Sequence, residues 1–205
     1  HTVITCLHLD KRGFLWIGTT DGLNRFDGYT FRRFQADPHD SLSLINDYII
    51  DIEEDSQGNL WCATAMGVIK FDQYSNKFTS YHTLTSFSDR KNFDPILDIV
   101  IDTLGNYLYI LGSNYINRLD IETGTIMNID ILDKITGNIP SGLKELEFIH
   151  ELQLLLILTN RGLYELNPYN DSVTSLPDSV KIKNYNETHI IAGRNNDAWL
   201  YSGKT

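Results

Sequence analysis

The stretch DKRGFLWIGTTDGLNRFDGYTFRRF, residues 10–34, returns in altered form as DSQGNLWCATAMGVIKFDQYSNKFTSY, residues 55–81. Asp, Gly, Trp, Thr, Gly, Phe and Asp recur in the same order in both stretches. Weaker copies begin at Asp102, Leu154 and His189. The sequence therefore repeats a unit of about 46 residues, a length typical of stacked supersecondary units.

Each repeat unit divides into four short strands separated by turns. An apolar run such as YIIDIEED is followed by Asp-x-x-Gly, which favours a type I turn. Segments such as LWIGT, GLNRFD and TFRRF complete the unit, and the apolar runs are too continuous for a sheet with one wet face. Four antiparallel strands covered on both faces by neighbouring units are typical of a propeller blade. The predicted fold class is an all-β propeller.

The predicted domain is a partial β-propeller over residues 1–205, with about four and a half blades. We place the blades at 1–36, 37–82, 83–130 and 131–178, with an incomplete fifth blade at 179–205. This number of blades leaves a ring open, so we expect the native chain to continue into further blades. The closing stretch AWLYSGKT, residues 198–205, fits a relaxed Walker A pattern. Its Trp199 lies on the repeat lattice, which predicts a blade strand running into a turn instead of a phosphate-binding loop.

The charge of the chain disfavours several classes of partner. The net charge is −10 and the isoelectric point is about 4.9, so the surface repels nucleic acid and anionic membranes. The longest apolar run, LQLLLIL at residues 152–158, suits a buried strand and is too short to span a membrane. The two cysteines, Cys6 and Cys62, lie in apolar strand patterns and are predicted to be buried free thiols.

The first repeat resembles the two-component regulator propeller repeat, which reads roughly Asp-x-x-Gly-x-Leu-Trp-Ile-Gly-Thr-x-x-Gly-Leu-x-Arg-Phe-Asp. The matching residues are Asp10, Gly13, Leu15, Trp16, Ile17, Gly18, Thr19, Gly22, Leu23, Arg25, Phe26 and Asp27. The linker DPHDSLSLIND, residues 37–47, is similar to the Ser-Leu-Ser linker that commonly joins such repeats. The third repeat departs from the pattern, because it lacks the Trp and the Gly-Leu pair.

The resemblance implies a sensor. In hybrid two-component receptors of Bacteroidetes-type bacteria, such propellers form the extracytoplasmic, here periplasmic, part of an inner-membrane receptor. Many of these receptors detect oligosaccharides and signal to a histidine kinase that regulates transcription. The implied partners are an oligosaccharide or other small molecule, the rest of the receptor chain, and a second receptor in a homodimer. No cofactor is implied, and this fragment is expected to be non-catalytic.

Two other classes of function stay open at this point. A propeller enzyme acting on polysaccharide, a lyase or a hydrolase, would need a convergent pair of acids or a His/Tyr pair on the loop face. A protein-docking scaffold would bind a macromolecule and show no affinity for sugars. Fold resemblance alone does not separate these classes.

The sequence offers no catalytic or metal-binding constellation. The six histidines are scattered, and the acidic segment DIEEDSQGN, residues 51–59, fits a solvated strand end better than a calcium loop. The repeated Asp-x-x-Gly acids are predicted to cap turns, and the repeated tryptophans to pack between blades. Arg25 and Arg118 are predicted to join neighbouring blades by pairing with carboxylates.

One end of the blades is predicted to bind the ligand. Because strands alternate in direction, the turn between the second and third strands lies at the same end as the long links between blades, which we call the loop face. Binding residues concentrate on long loops held by a rigid scaffold. The candidate ligand-binding residues on this face are Asp21, His39, Tyr81, His82, Arg90, Lys91, Lys134 and Tyr185.

Overall fold

The computed structural model contains only β-strands in the part of the chain that it describes. It describes residues 2–82, 95–102, 104, 106–113, 115–129, 142–150, 152–160, 162–176, 188–192 and 198–202, the last two segments mainly through their backbone. None of these residues forms a helix long and apolar enough to cross a membrane.

The described residues form eighteen strands, which follow one another in the order that the repeats predict. The first two groups of four are β1 Ile4–Leu9, β2 Leu15–Thr19, β3 Gly22–Phe26, β4 Phe31–Phe34, β5 Ile49–Glu54, β6 Leu60–Thr64, β7 Gly67–Asp72 and β8 Lys77–Tyr81. The next two groups are β9 Ile96–Ile101, β10 Tyr107–Gly112, β11 Ile116–Asp120, β12 Ile126–Ile129, β13 Leu143–Ile149, β14 Leu154–Thr159, β15 Leu163–Leu166 and β16 Val173–Ser175. The last two strands are β17 Thr188–Ala192 and β18 Ala198–Ser202.

The strands form four four-stranded sheets and one two-stranded sheet, each in chain order. We call the sheets blades 1 to 5. The neighbouring strands whose register is described are antiparallel, which confirms the predicted propeller-blade fold. The two strands of blade 5 confirm the strand predicted for AWLYS, while Gly203–Thr205 lie outside the described residues. The chain divides into two compact units, His1–Ile101 and Asp102–Thr205, which we describe separately.

The first strand of a blade carries a bulge at one repeated position. The register shifts between Ile4 and Cys6 in blade 1, and between Ile49 and Asp51 in blade 2. One extra residue returns side chains three positions apart to the same face of the sheet. Ile49 and Ile52 therefore lie on one face, and both are buried.

In the first unit, blade 1 packs on blade 2 through aromatic side chains. The ring of Trp16 lies 5.5 Å from that of Phe71, and the ring of Phe34 lies 5.2 Å from Phe71 and 5.7 Å from Phe78. Trp16 and Phe71 are fully buried, and Trp61 is also fully buried against Tyr81. This confirms the predicted packing between blades for Trp16, whereas the ring contact of Trp61 is with Tyr81 of its own blade. The side chain of Trp199 lies outside the described residues.

The Asp-x-x-Gly turns also hold the tryptophans. Gly13 N–H donates to the carbonyl of Asp10, and the second carboxylate oxygen of Asp10 accepts the indole N–H of Trp16 at 2.8 Å. Asp55 repeats this arrangement with Trp61 at 3.0 Å. Turn capping by these acids is confirmed. In blade 3, a carboxylate oxygen of Asp102 accepts the backbone N–H of Asn106 at 2.8 Å.

The acidic end of β5 is not solvated, contrary to the sequence-based prediction. The side chain of Asp55 is 1% exposed and that of Glu54 is 5% exposed. Asp55 accepts hydrogen bonds within its own turn, and Glu54 accepts the backbone N–H of Lys11 at 2.9 Å. Both carboxylates are buried acceptors that fix turns and join two blades.

The predictions for the two arginines have different outcomes. Arg118 donates to the carbonyl of Pro168 at 2.9 Å and pairs with Asp171 at 3.1 Å, so it joins blades 3 and 4 as predicted. Arg25 pairs with no carboxylate within the described part of the first unit. Its guanidinium lies 4.5 Å from the centre of the Phe14 ring, on its own blade. The aromatic ring satisfies the cation where no acid faces it.

In the second unit, blade 4 packs against neighbours on both sides. Tyr109 of blade 3 stacks on Phe148, with ring centres 6.4 Å apart. On the other side, Glu145 accepts the backbone N–H of Ile190 at 3.2 Å. β14 is buried from Leu155 to Thr159, which confirms the buried strand predicted there.

Both cysteines are free thiols, as predicted, and Cys62 is buried, but Cys6 is only partly buried, contrary to the prediction. Burial, with a smaller contribution from the charge of Asp51, raises the pKa of Cys6 to about 12. Burial also raises the pKa of Cys62. Neither thiol ionises near neutral pH, and thiols in this state react slowly.

Candidate ligand-binding face

A threonine and a glycine give the turns of the loop face a fixed shape. Thr19 Oγ1 donates to the carbonyl of Gly22 at 2.7 Å and accepts the N–H of Asp21 at 3.1 Å. Thr64 makes the same two bonds, to the carbonyl of Gly67 and from the N–H of the residue before it. Gly22 has a φ of +111°, and a Cβ there would lie 2.5 Å from the carbonyl oxygen of residue 34. The turns therefore have a fixed backbone geometry, which positions the side chains at their tips.

The link between blades 1 and 2 is bonded to both turns. Gly22 N–H donates to the carbonyl of Asp47 at 2.7 Å, and Ala65 N–H donates to the carbonyl of Tyr48 at 3.2 Å. The carboxylate of Asp47 also accepts the N–H of Ala36, where the link begins, at 2.7 Å. Asp47 and Tyr48 are therefore held between the two turns. This confirms that the first link and the turns share one end of the blades.

The link itself is an ordered loop. Asp37 N–H donates to Ser43 Oγ at 2.9 Å, and Leu42 N–H donates to a carboxylate oxygen of Asp40 at 2.9 Å. Leu44 is 3% exposed and packs in the core shared by blades 1 and 2. Because one apolar side chain anchors the loop, its polar residues are held in place at the surface.

Asp21 lies at the tip of the blade 1 turn, within a polar group. Arg33 pairs with its carboxylate and donates to its carbonyl at 2.7 Å, and Gln35 donates to its carboxylate at 3.3 Å. The side chains of Arg33 and Asp21 are 46% and 49% exposed. An exposed, fixed carboxylate and guanidinium can accept and donate hydrogen bonds to a polar ligand.

Three of the other predicted residues lie in the described part of the chain. His39 is exposed in the link, where its N–H donates to Asp37 at 2.9 Å. Tyr81 is half-buried with its ring 5.2 Å from Trp61, and burial raises its pKa, so it has a packing role. His82 is exposed beside the blade 2 turn. The remaining candidates lie outside the described residues: Arg90, Lys91, Lys134 and Tyr185.

Two exposed residues of the loop face were missed by sequence reasoning. Tyr48 is 46% exposed and Met66 is 47% exposed. Tyr48 opens the run YIIDI, so the sequence suggests a strand residue, but the structure places it in the link just before β5. Met66 lies at the tip of the blade 2 turn, where an apolar side chain has no folding role. That mismatch between residue type and position is the signal that could have identified it.

No group of metal-ligating side chains occurs among the described residues. His8 Nε2 lies 3.8 Å from a carboxylate oxygen of Glu54. This pair lies between β1 and β5, away from the loop face. The described loop face therefore offers aromatic, apolar and charged contacts for an organic ligand.

Two segments of the chain match a family model. Residues 1–21 and 43–66 match the model of the two component regulator propeller. A histidine kinase P4 of Formosa agariphila is 57% identical over 35 residues, which is 17% of this chain and 3% of that protein. The chain thus spans a small part of this relative.

Solved propeller domains share the fold over nearly the whole chain. The extracellular domain of BT3049, described as a hybrid two component system of B. thetaiotaomicron, superposes with a TM-score of 0.75 at 21% identity. The alignment covers 97% of this chain and 27% of that one. The extracellular domain of BT4673 from the same bacterium gives 0.76 at 20% identity, covering 98% and 29%. The neighbours are extracellular domains of larger two-component receptors, and this chain spans less than a third of their length.

Proposed function

We propose that this chain is part of the ligand-sensing, periplasmic propeller of a hybrid two-component receptor, and that its loop face binds an oligosaccharide. The observation that carries the proposal is the placement of Asp47 and Tyr48 between two rigid turns, with the Asp21 and Arg33 pair beside them. Aromatic and apolar faces flanked by fixed hydrogen-bonding groups suit sugar rings, which carry both apolar faces and hydroxyls.

The proposed role of the face is binding without turnover. The carboxylate of Asp21 is paired with Arg33, an arrangement that suits hydrogen bonding to the hydroxyls of a ligand. Ligand binding would favour one of two arrangements of a receptor homodimer, to the extent that its affinity differs between them. The signal would pass to the histidine kinase in the rest of the receptor chain.

The proposal is tested with immobilised neutral and acidic oligosaccharides, followed by calorimetric titration of those that bind. We expect Tyr48→Ala to weaken binding by about tenfold, which corresponds to about 1.4 kcal/mol. The matched control is Tyr74→Ala, an exposed tyrosine in the β7–β8 turn at the opposite end of blade 2. Equal affinities for Tyr48→Ala and Tyr74→Ala would remove the loop face from the proposal.

The same samples separate the alternatives from the proposal. Chromatography of each oligosaccharide after incubation is expected to show it unchanged. Cleaved products would support an enzyme acting on polysaccharide. Failure of every oligosaccharide to bind would favour a protein-docking scaffold.

A further inference from the structure

Three arginines of blade 1 lie together at the end of the blade opposite the loop face. Arg12 lies in the β1–β2 turn, and its guanidinium is 5.4 Å from the centre of the Phe14 ring. The guanidinium of Arg25 lies 4.5 Å from the centre of the same ring. Arg32 is directly opposite Arg25 on the next strand, so both side chains point to the same side of the sheet. We call Arg12, Arg25 and Arg32 the arginine cluster.

The arginine cluster pairs with no carboxylate within the described part of the first unit. The Arg12 guanidinium donates to the side-chain oxygen of Gln73 at 3.3 Å, and that of Arg32 donates to the side-chain oxygen of Asn76 at 3.2 Å. Both acceptors are amides of the β7–β8 turn, which hold the guanidinium groups in place without neutralising them. Since like charges directly opposite each other in a sheet repel, Arg25 and Arg32 destabilise the blade unless an anion joins them.

The acids of the adjoining turns bind other groups. Asp27 accepts the backbone N–H of Thr30 at 2.7 Å, and Asp72 accepts that of Tyr74 at 2.8 Å, so each carboxylate caps its own turn. Glu54 accepts a backbone N–H of the β1–β2 turn at 2.9 Å. The positive charge of the arginine cluster is therefore not balanced by these three acids.

The contact between blades 3 and 4 shows the same positions with their charge balanced. The registers make Arg118 equivalent to Arg25 and Asp171 equivalent to Asn76. Asp171 and Asn76 also share a φ of +54°. Arg118 pairs with Asp171 at 3.1 Å, and the residue directly opposite Arg118 is Met127, not a second arginine. Blade 1 thus carries additional positive charge at this point, and blade 2 has an amide where blade 4 has the balancing acid.

The chemistry of the arginine cluster suits a sulfate or phosphate group. Each guanidinium has five N–H donors in a planar fork, which matches the oxygens of such a group, and Arg12 and Arg32 are exposed to solvent. We propose that the arginine cluster binds a sulfate or phosphate group, either as the free ion or as an ester of a small organic molecule. The bound group accepts hydrogen bonds from the guanidinium groups and offsets the repulsion between Arg25 and Arg32. This site lies at the opposite end of blade 1 from the loop face and does not rest on the proposed function.

Calorimetric titration of the full-length protein with sodium sulfate, sodium phosphate and glucose 6-sulfate, at constant ionic strength, tests the site. We expect Arg25→Gln to weaken binding by about tenfold, because it removes charge-assisted hydrogen bonds. The matched control is Lys77→Gln, which removes one positive charge at an exposed position beside the same β7–β8 turn. Its affinity should stay within about twofold of the parent, since salt screens an exposed charge that makes no contact with the anion. Failure of all three probes to bind, or equal affinities for the two variants, would overturn the proposal.

A second variant keeps all three arginines and supplies the missing acid. Asn76→Asp reproduces the residue that blade 4 has at this position, and the shared φ of +54° indicates that the backbone accepts it. We expect this carboxylate to pair with the cluster and to weaken binding of the same probes by about tenfold. Unchanged affinity in Asn76→Asp would overturn the proposal even if Arg25→Gln failed to fold.

The probes also distinguish the two sources of the anion. Tighter binding of glucose 6-sulfate than of sulfate, by about tenfold, would identify an ester of an organic molecule as the ligand. Equal affinities would identify the free ion. Because Tyr48→Ala tests the loop face and Asn76→Asp tests the arginine cluster, this proposal and the proposed function fail separately.

Discussion

Blades 1 and 2 have the same four strands, the same Thr–Gly turns and the same Asp–Trp hydrogen bond, yet one apolar face is buried in blade 2 and exposed in blade 1. The difference does not come from the sequence of the face, because both faces carry a stacked phenylalanine pair. The difference in exposure comes from the neighbouring blade, because blade 1 covers this face of blade 2. In a repeat architecture, much of the stability of a unit lies in the contact with the next unit.

The largest expected effect is on the phenylalanines. Phe71→Ala should lower the free energy of unfolding by about 3–5 kcal/mol, because it leaves a cavity beneath Trp16 and Phe34. Phe26→Ala should lower it by about 1 kcal/mol, mainly the stacking on Phe31. Urea unfolding followed by tryptophan fluorescence measures both. Similar losses for the two variants would contradict the distinction between the buried face of blade 2 and the exposed face of blade 1.

A second pair of variants tests whether the Asp-x-x-Gly turn stabilises blade 1 as much as it stabilises blade 2. Asp55→Ala and Asp10→Ala should each cost about 2–3 kcal/mol, because each leaves a buried indole N–H and backbone N–H groups without an acceptor. The same urea titrations give the values. If Asp10→Ala were nearly neutral, the whole of blade 1 would be less stable than blade 2, and the contrast would not be confined to its exposed apolar face.

A smaller effect is expected from the polar contact between the two blades. Arg12→Ala should lower the free energy of unfolding by about 1 kcal/mol, since it removes the bond to Gln73 and the contact with the Tyr74 ring at 5.9 Å. A double-mutant cycle with Gln73→Ala isolates the coupling across the blades. Lys77→Ala, at an exposed position of β8, is the control. A coupling of zero would leave the apolar faces as the main contact between the blades.

The smallest effect is on pH dependence. The pKa of Cys6 is raised from 9.0 to about 12 in the folded state. The free energy of unfolding is therefore unaffected by this group below pH 9, and it falls as pH rises from 9 towards 12. Cys62 behaves in the same direction. We expect a loss of a few tenths of a kcal/mol per thiol near pH 9. The free energy of unfolding of Cys6→Ala and of Cys62→Ala should fall less steeply across this pH range than that of the parent chain. An identical fall would contradict the raised pKa of these thiols.

Much of this fold could be predicted because its signals are local and repeated. The Asp-x-x-Gly turn, the Trp three residues later and the Thr–Gly turn specify four strands in each copy. The burial of Glu54 and Asp55 was not predicted, since an acidic run resembles a solvated strand end until the neighbouring turn of Lys11 is in place. Arg25 was misjudged for a similar reason, because its partner is an aromatic ring on its own blade.

The candidate site was harder to predict than the fold. Asp21 was identified because it lies in a turn of known position, whereas Tyr48 was hidden at the edge of an apolar run. Its exposure depends on where the link ends and β5 begins, which is set by the hydrogen bond from Ala65 to the Tyr48 carbonyl. The first residue of such a strand depends on tertiary contacts, which a local sequence pattern does not contain.

The bulge in the first strand of a blade has a consequence for how such chains change over time. The register shift recurs at the second residue of β1, β5 and β13, so each of these blades sets its own alignment after its link has ended. An insertion or deletion in a link is then absorbed before the sheet begins, and the faces of the blade keep their orientation. Evolution can therefore lengthen or replace the loops of the loop face one at a time, and the proposed ligand-binding surface can diversify while the scaffold stays the same.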